Sequence, residues 1–305
     1  MKIVLDGVRD LHFVDGAPVR AASGVAPFGD GFLVAQDDAT HAAWFRDGPA
    51  TPVRLLPPKQ GRETFDEASG TKHLKPDLEA ACEVTTDGAS GVLLLGSGSS
   101  PERMRWSLVR QRGARTDNRV ADVAALYDVV AGVLGVPLDL LNMEGACLLG
   151  QTLRWYHRGM PSAGWPSGSV DLPLAAALEV ALGRAAPEGV PVTNPLAYHL
   201  GDVDEVGLAI TDAIALPDGA VLVSAAAEDS PHPRDDGPVV ASALALVKDG
   251  VVGAVVELPR IGGSVAKVEG LMLIEAHDRE ALVLAVADAD DPDTASVAIQ
   301  LRVGH

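Results

Sequence analysis

The stretch Leu141–Gly159, LNMEGACLLGQTLRWYHRG, decides how the whole chain is read. A carboxylate, Glu144, stands directly before a short run of small and apolar residues. The run turns near Gly150-Gln151, and a second, stronger apolar run follows. A charge heading an apolar strand is costly unless it is solvated or bound to something. Met once, the arrangement reads as a strand end facing water. Met at even intervals, it describes a repeat architecture.

It does recur. Residues 78–95 read LEAACEVTTDGASGVLLL, residues 211–224 TDAIALPDGAVLVS, and residues 268–286 VEGLMLIEAHDREALVLAV; a weaker copy, ASGVAPFGDGFLVA, spans 22–35. Their turns fall at Asp30-Gly31, Asp87-Gly88, Asp218-Gly219 and the His277-Asp278 region. Asp-Gly between two apolar runs is a strong hairpin signal. The heads of the copies are Ser23, Glu79, Glu144, Asp212 and Glu269, about 56 to 68 residues apart. The step from Glu269 through the C-terminus and on from Met1 to Ser23 is of the same size, about 59 residues. A wrap-around step that matches the others predicts a closed ring with one repeat split between the termini. The fold class that follows is all-β: a single domain, residues 1–305, forming a five-bladed β-propeller of four-stranded sheets around a channel.

Outer strands are supplied by segments such as HAAWFRD, TPVRLL, MRWSLVRQR, VVASALALVKDG and VVGAVVELPR. The C-terminal ASVAIQLRV is expected as the third strand of the last blade, completed by the N-terminal KIVLD or by the segment near PVRAA. One helix interrupts the pattern: in VADVAALYDVVAGVL, residues 120–134, Val123, Leu126, Tyr127, Val130 and Leu134 recur at helical spacing. For LPLAAALEVALGRA, residues 172–185, helix and strand are equally allowed. The rival, an α/β fold, needs more helical segments than these two.

Composition bounds the function. A net charge of −18 argues against general nucleic-acid binding. No run of 18 or more apolar residues predicts a membrane span. MKIVLDGVRD lacks the apolar stretch of a signal peptide, and two cysteines make no disulfide framework, so a reducing cytoplasm is the expected compartment. The abundance of Ala, Val, Leu and Gly is of the kind a high-GC bacterial genome produces.

Equivalent residues at the starts of innermost strands form a ring at one channel mouth. Carboxylates converging there repel one another, so either their pKa values rise or a cation sits among them. Oxygen-only ligands suit a hard cation, Ca²⁺ before Mg²⁺ or Mn²⁺. The predicted metal set is therefore Ser23, Glu79, Glu144, Asp212 and Glu269. This set, with the strings Glu79-Ala80-Ala81, Glu144-Gly145-Ala146 and Val268-Glu269-Gly270-Leu271, resembles the apyrase (calcium-activated nucleotidase) propellers. It is also similar to the phytase-like esterase propellers. The resemblance covers the repeat frame over most of the chain but rests on motifs of only a few residues, which also suit a propeller family of unassigned function. It implies a central Ca²⁺ held by one residue per blade; Asp212 departs from it, standing where those propellers have a serine.

Strand alternation puts the links entering the inner strands on the same face as the links between second and third strands. The latter are QDDATH (36–41), GSGSSPERM (96–104), HRGMPSAGWPSGS (157–169), AEDSPHPRDDGP (227–238) and ADADDPDTA (287–295). Function tends to sit on such loops. Arg103 in the second offers a fork suited to carboxylate or phosphate. The stretch is neither a P-loop nor a dinucleotide fingerprint. Lys75, in a link with Lys72 and His73, and Lys267, beside Glu269, either pair with the ring or hold an anionic substrate. His157, ahead of Arg158, has the titration range of a general acid or base; His41 and His232 are weaker candidates. ADADDPDTA fails as a calcium loop, lacking Gly at its sixth and Glu at its twelfth position counted from Asp288. No nucleophile elbow is present, and Cys82 and Cys147, each three residues after a head, read as small core residues.

The expected activity is that of a metal-dependent enzyme, hydrolysing a phosphate ester or anhydride of an anionic small molecule. Lactone or ester hydrolysis, or isomerisation, would use the same mouth. The alternative from another class is a binding or scaffold propeller in which Ca²⁺ only clamps the ring.

Overall fold

Five antiparallel sheets follow one another along the chain, each with an axial strand that carries one of the quoted heads. The computed structural model describes every residue except 114, 231–236, 278, 290, 292 and 305, so His232 and Asp278 lie outside the described residues. After β1 (Lys2–Asp10), the first blade comprises β2 (Ala22–Phe28), β3 (Gly31–Gln36), β4 (His41–Phe45) and β5 (Thr51–Arg54). The second has β6 (Leu78–Thr86), β7 (Ala89–Gly96), β8 (Arg105–Arg112) and β9 (Arg115–Asp122); α1 (Ala124–Leu134) follows. The third has β10 (Met143–Leu149), β11 (Thr152–His157), β12 (Ser167–Pro173), α2 (Leu174–Ala181) and β13 (Thr193–Tyr198). The fourth opens with the two-residue β14 (Asp202–Val203) and continues through β15 (Val206–Ala215), β16 (Val221–Glu228), β17 (Val239–Lys248) and β18 (Val251–Glu257). The fifth has β19 (Lys267–His277), β20 (Glu280–Asp288) and β21 (Val297–Gly304), and β1 pairs antiparallel with β21 from Lys2 opposite Gly304 to Asp10 opposite Val297. Of the two expected closing segments, KIVLD is the one used. As the outermost strand of the last blade, β1 covers the edge that β21 would otherwise leave unpaired.

The first strands β2, β6, β10, β15 and β19 touch in cyclic order around the axis. Close approach there demands small residues. A Cβ added at Gly145 would sit 2.7 Å from the Asp212 Cα on the neighbouring strand. The hairpins carry the expected turn chemistry, with Asp87 and Gly88 both at positive φ. In the first blade the turn is Gly29-Asp30, because Gly31 already pairs with Phe28.

Both ambiguous segments are settled by packing. The 120–134 stretch forms α1, which buries Leu126, Tyr127, Val130 and Ala131 and ends at Gly135 in the left-handed conformation. The 172–185 stretch forms α2, inserted between the third and fourth strands of its own blade. Both helices cover the core between the second and third blades, where Trp106 and Tyr127 meet Trp155 edge-on at 5.5 and 5.0 Å. Among the described residues no helix is long and apolar enough to cross a membrane.

Candidate functional site

Toward one end of the axis, the first strand of each blade breaks register with the second, near its start in four blades and mid-strand in the fourth blade. The bulges fall at Ser23-Gly24, Glu79, Glu144, Thr211 and Glu269. A bulged residue is left out of the ladder and its side chain is re-aimed, here toward the end of the axis. In the fourth blade the residue in this position is Thr211, and Asp212 comes one residue later, where the other blades have Gly24, Ala80, Gly145 and Gly270. The hydroxyl heads act alike: Ser23 Oγ donates to Leu78 O and Thr211 Oγ1 to Val268 O, both at 2.6 Å. Each thereby ties its strand to the residue preceding the next blade's carboxylate.

Ser23, Glu79, Glu144 and Glu269 line one cavity of ≈ 410 Å³ at this end of the axis. Asp212 does not line it. Its carboxylate is buried between first strands, accepting Leu271 N–H at 2.7 Å and Ala146 N–H at 3.4 Å, so it binds the third and fifth blades together. Burial drives its pKa well up in spite of those donors. The predicted five-membered ring is therefore four-membered at the cavity, and the reason is the one-residue register offset at the bulge.

Ten acidic and six basic side chains line the cavity, so carboxylates are in excess. The ligand atoms of Asp37, Asp77 and Glu79 all lie within 4.8 Å of one another. Asp77 is saturated: Ser97 and Ser99 donate to its Oδ2, Arg103 Nη1 reaches the same atom at 2.9 Å, and Lys75 Nζ lies 3.2 Å from Oδ1. Against the upward push of burial, Lys75 and Arg103 hold Asp77 at about 2. Lys75 also pairs with Asp37 Oδ2. Three carboxylates keep unmatched acceptor oxygens. Asp37 Oδ1 and Glu144 Oε2 are buried without a hydrogen-bond partner, and among the described residues no side-chain hydrogen bond or ion pair reaches Glu79. Burial, with the charges of Asp77 and Asp37 beside it, pushes Glu79 well above the usual carboxylate range. An all-carboxylate set with orphaned oxygens fits a hard cation.

The opposite wall is internally compensated. Glu144 Oε1 accepts from Asn142 Nδ2 at 2.6 Å and from Arg158 Nη1 at 3.1 Å. Arg158 Nη2 donates to Glu228 Oε2 at 2.6 Å, Lys267 Nζ lies 3.0 Å from the same oxygen, and Lys267 also reaches Glu269 Oε1 at 2.9 Å. Burial, with Glu144 alongside, takes Glu269 up to about 7 although Lys267 adjoins it.

The structure thus brings Lys75, Arg103 and Lys267 to the cavity. Each is there as a carboxylate's partner. Arg103 and the serines of GSGSSPER converge on Asp77, and Gly98 is required because a Cβ would strike the Tyr127 ring at 2.2 Å. His157 lies behind the wall, 1 % exposed, with Nδ1 against the Asn142 backbone and Nε2 without a partner. Burial holds it down at about 4, so it is neutral at neutral pH. His41 does not line the cavity either; it packs against Phe13. Sequence reasoning missed Asp37, Asp77, Asn142 and Glu228. The signal for two of them was present: Asp77, Asn142 and Lys267 all stand two residues before a head. The other signal lies at the exits of the second strands, where Asp37, Ser97, Arg158, Glu228 and Asp288 fall on the same face.

The chain matches the family DUF6910, described as a family of unknown function, over residues 71–292. No curated protein matches the sequence. Among solved structures, glutaminyl cyclase of Myxococcus xanthus is similar with a TM-score of 0.48 at 11 % identity, covering 99 % of this chain and 97 % of that one. The mannose phosphorylase MPT-4 of Leishmania mexicana, solved with a phosphate ion, gives 0.48 at 11 % identity, covering 97 % and 88 %. A protein of unknown function from Dyadobacter fermentans gives 0.41 at 13 % identity, covering 99 % of each chain.

Proposed function

This chain belongs to the DUF6910 family, and we propose that its propeller is a metal-dependent enzyme hydrolysing a phosphate ester or anhydride of an anionic small molecule in the axial cavity. One observation carries the reading. Among the described residues, carboxylate oxygens of Asp37 and Glu144 are buried without partners and Glu79 accepts no hydrogen bond, in a cavity whose other walls present Lys72, Lys75, Arg158 and Lys267. Uncompensated buried carboxylates are expensive. Asp37, Asp77 and Glu79, whose ligand atoms converge, are the residues that would hold the ion, Ca²⁺ in first place, with Glu144 in the same cavity as a further ligand.

Bound there, such an ion would supply Lewis-acid polarisation of a phosphoryl group and activation of water. The chain's own residues do the rest. Arg158 and Lys267 face the charge of the substrate and keep it oriented. Glu269, at about 7, holds a proton at its carboxyl over the neutral range and can release it to a departing oxygen. His157, behind the wall, takes no part in this scheme. Lys75 shields Asp37 and Asp77 when no ion is bound.

A second reading is favoured by the chain Glu144–Arg158–Glu228–Lys267–Glu269, which neutralises much of the wall internally. In that reading the propeller binds or scaffolds, and the cation only clamps the ring. Calorimetry with Ca²⁺, Mg²⁺ and Mn²⁺, followed by turnover of p-nitrophenyl phosphate and nucleoside diphosphates, separates the two. Glu79→Gln and Glu144→Gln are expected to lose metal binding and turnover together while the fold survives. Metal binding without turnover of any phosphate ester or anhydride leaves the clamp; no metal binding at millimolar concentrations sinks both.

A further inference from the structure

Glu228 belongs to neither carboxylate group at the cavity surface. It stands at the end of β16, where the pairing with β17 shifts register between Ala227 and Glu228. The side chain is 3 % exposed and does not line the axial cavity. Its Oε1 accepts Gly237 N–H at 2.8 Å, which sets the plane of the carboxylate. Its Oε2 takes both Arg158 Nη2 at 2.6 Å, from the third blade, and Lys267 Nζ at 3.0 Å, from the fifth. Each of these cations also reaches the head of its own blade, Arg158 to Glu144 at 3.1 Å and Lys267 to Glu269 at 2.9 Å. The fourth blade has a hydroxyl, Thr211, at the head position, so its carboxylate comes instead from the second strand and from behind.

We infer that Glu228 is a positioning residue that presents Arg158 and Lys267 as one pair to an anionic group of the ligand, an inference that rests on the functional reading above. Two cations brought to one place repel each other unless a carboxylate lies between them. Arg158 carries five N–H donors and directs one each at Glu144 and Glu228, which leaves its planar fork fixed and not exhausted. Without the charge of Glu228, Arg158 and Lys267 each fall back on the head of their own blade, and the pair separates. Glu228 acts through these side chains and touches no ligand itself.

The test compares wild type, Glu228→Gln and Glu228→Asp in three measurements: titration with inorganic phosphate, titration with Ca²⁺, and the crystal structure of Glu228→Gln. Glu228→Gln is expected to weaken phosphate binding about tenfold or more, the scale of a lost charge-assisted hydrogen bond. Ca²⁺ affinity should fall by clearly less than phosphate affinity, since Arg158 then presses only on Glu144, and Glu228→Asp should recover part of the phosphate loss. In the crystal structure the two cations should move apart. Unchanged phosphate affinity, or a Glu228→Gln structure with Arg158 and Lys267 in their wild-type places, overturns the inference. Equal loss of phosphate and Ca²⁺ binding also overturns it, since that is the mark of a merely structural role. A wild-type protein that takes no phosphate overturns the anionic-substrate reading itself, and the crystal structure then still decides whether Glu228 positions the pair.

Discussion

Glu269 is one residue whose protonation couples the cavity to pH. Its folded pKa of about 7 lies above its ordinary value of 4.5, raised first by burial and then by Glu144. The fold therefore favours the protonated carboxyl. That contribution is complete below about 4.5 and is lost as pH rises through about 7. In EDTA, the melting temperature should fall between pH 5 and pH 8, by the equivalent of about 3 kcal/mol at most from this group. Glu269→Gln should flatten the slope; a melting temperature that rises over this range would count against the burial of Glu269. Glu228 and Asp77 have the opposite sign. Both are held at about 2 by basic partners against the push of burial, so their contribution is present above their unfolded values and lost only toward pH 2. Lys75 gives a further check. A cation at Asp37 competes with its ammonium, so Lys75→Met should raise divalent affinity in calorimetry, whereas a fall would show that Lys75 holds the carboxylates in place for the ion.

At the scale of elements, the site depends on how closely the first strands approach. Gly145 lets β10 lie against β15 at Asp212. Gly145→Val should force the strands apart at a cost of about 1–3 kcal/mol, the usual range for overpacking, seen as a lower denaturant midpoint. Because Asp212 Oδ1 accepts the N–H of Ala146, the same variant should also weaken metal binding at Glu144 on the same strand. The bulge within each first strand is the device that turns a strand residue toward the axis. This is also where reading from the sequence loses its way: period-two alternation says which face a residue takes, but a bulge shifts the count by one. Asp212 and Thr211 exchanged roles for that reason.

At the scale of the whole molecule, the ring is closed by β1 from the N-terminus on β21. Deleting residues 1–10 exposes the edge of β21 to solvent and to other chains. The truncated protein should melt several degrees lower and associate on size-exclusion chromatography; an unchanged monomer with an unchanged melt would show that the ring holds without this strand. On the proposed reading, a divalent ion at Asp37 and Glu79 would join two blades and would bind only the closed ring. Saturation at about 100 times its dissociation constant should stabilise the protein by about 2.7 kcal/mol. Glu79→Gln should abolish that shift in a thermal melt with and without Ca²⁺.

The architecture was legible in Leu141–Gly159 and its copies, because a hairpin repeated at even steps around a closing wrap admits few arrangements. α1 was legible from Leu126, Tyr127 and Val130 at helical spacing. Three of the carboxylate heads, Glu79, Glu144 and Glu269, and the bases Lys75, Arg103 and Lys267 were legible as neighbours of one mouth, since the repeat puts them at equivalent strand ends. Tertiary structure alone decided what each does there. It set Asp212 between strands and His157 behind the wall, and it made Arg103 the partner of Asp77. It also joined Arg158 and Lys267, from different blades, on Glu228. The physical reason is that pairing among buried charges depends on distances of a few ångströms across blade boundaries. Spacing along one strand determines which end of the molecule a residue reaches, but not which charge it meets there.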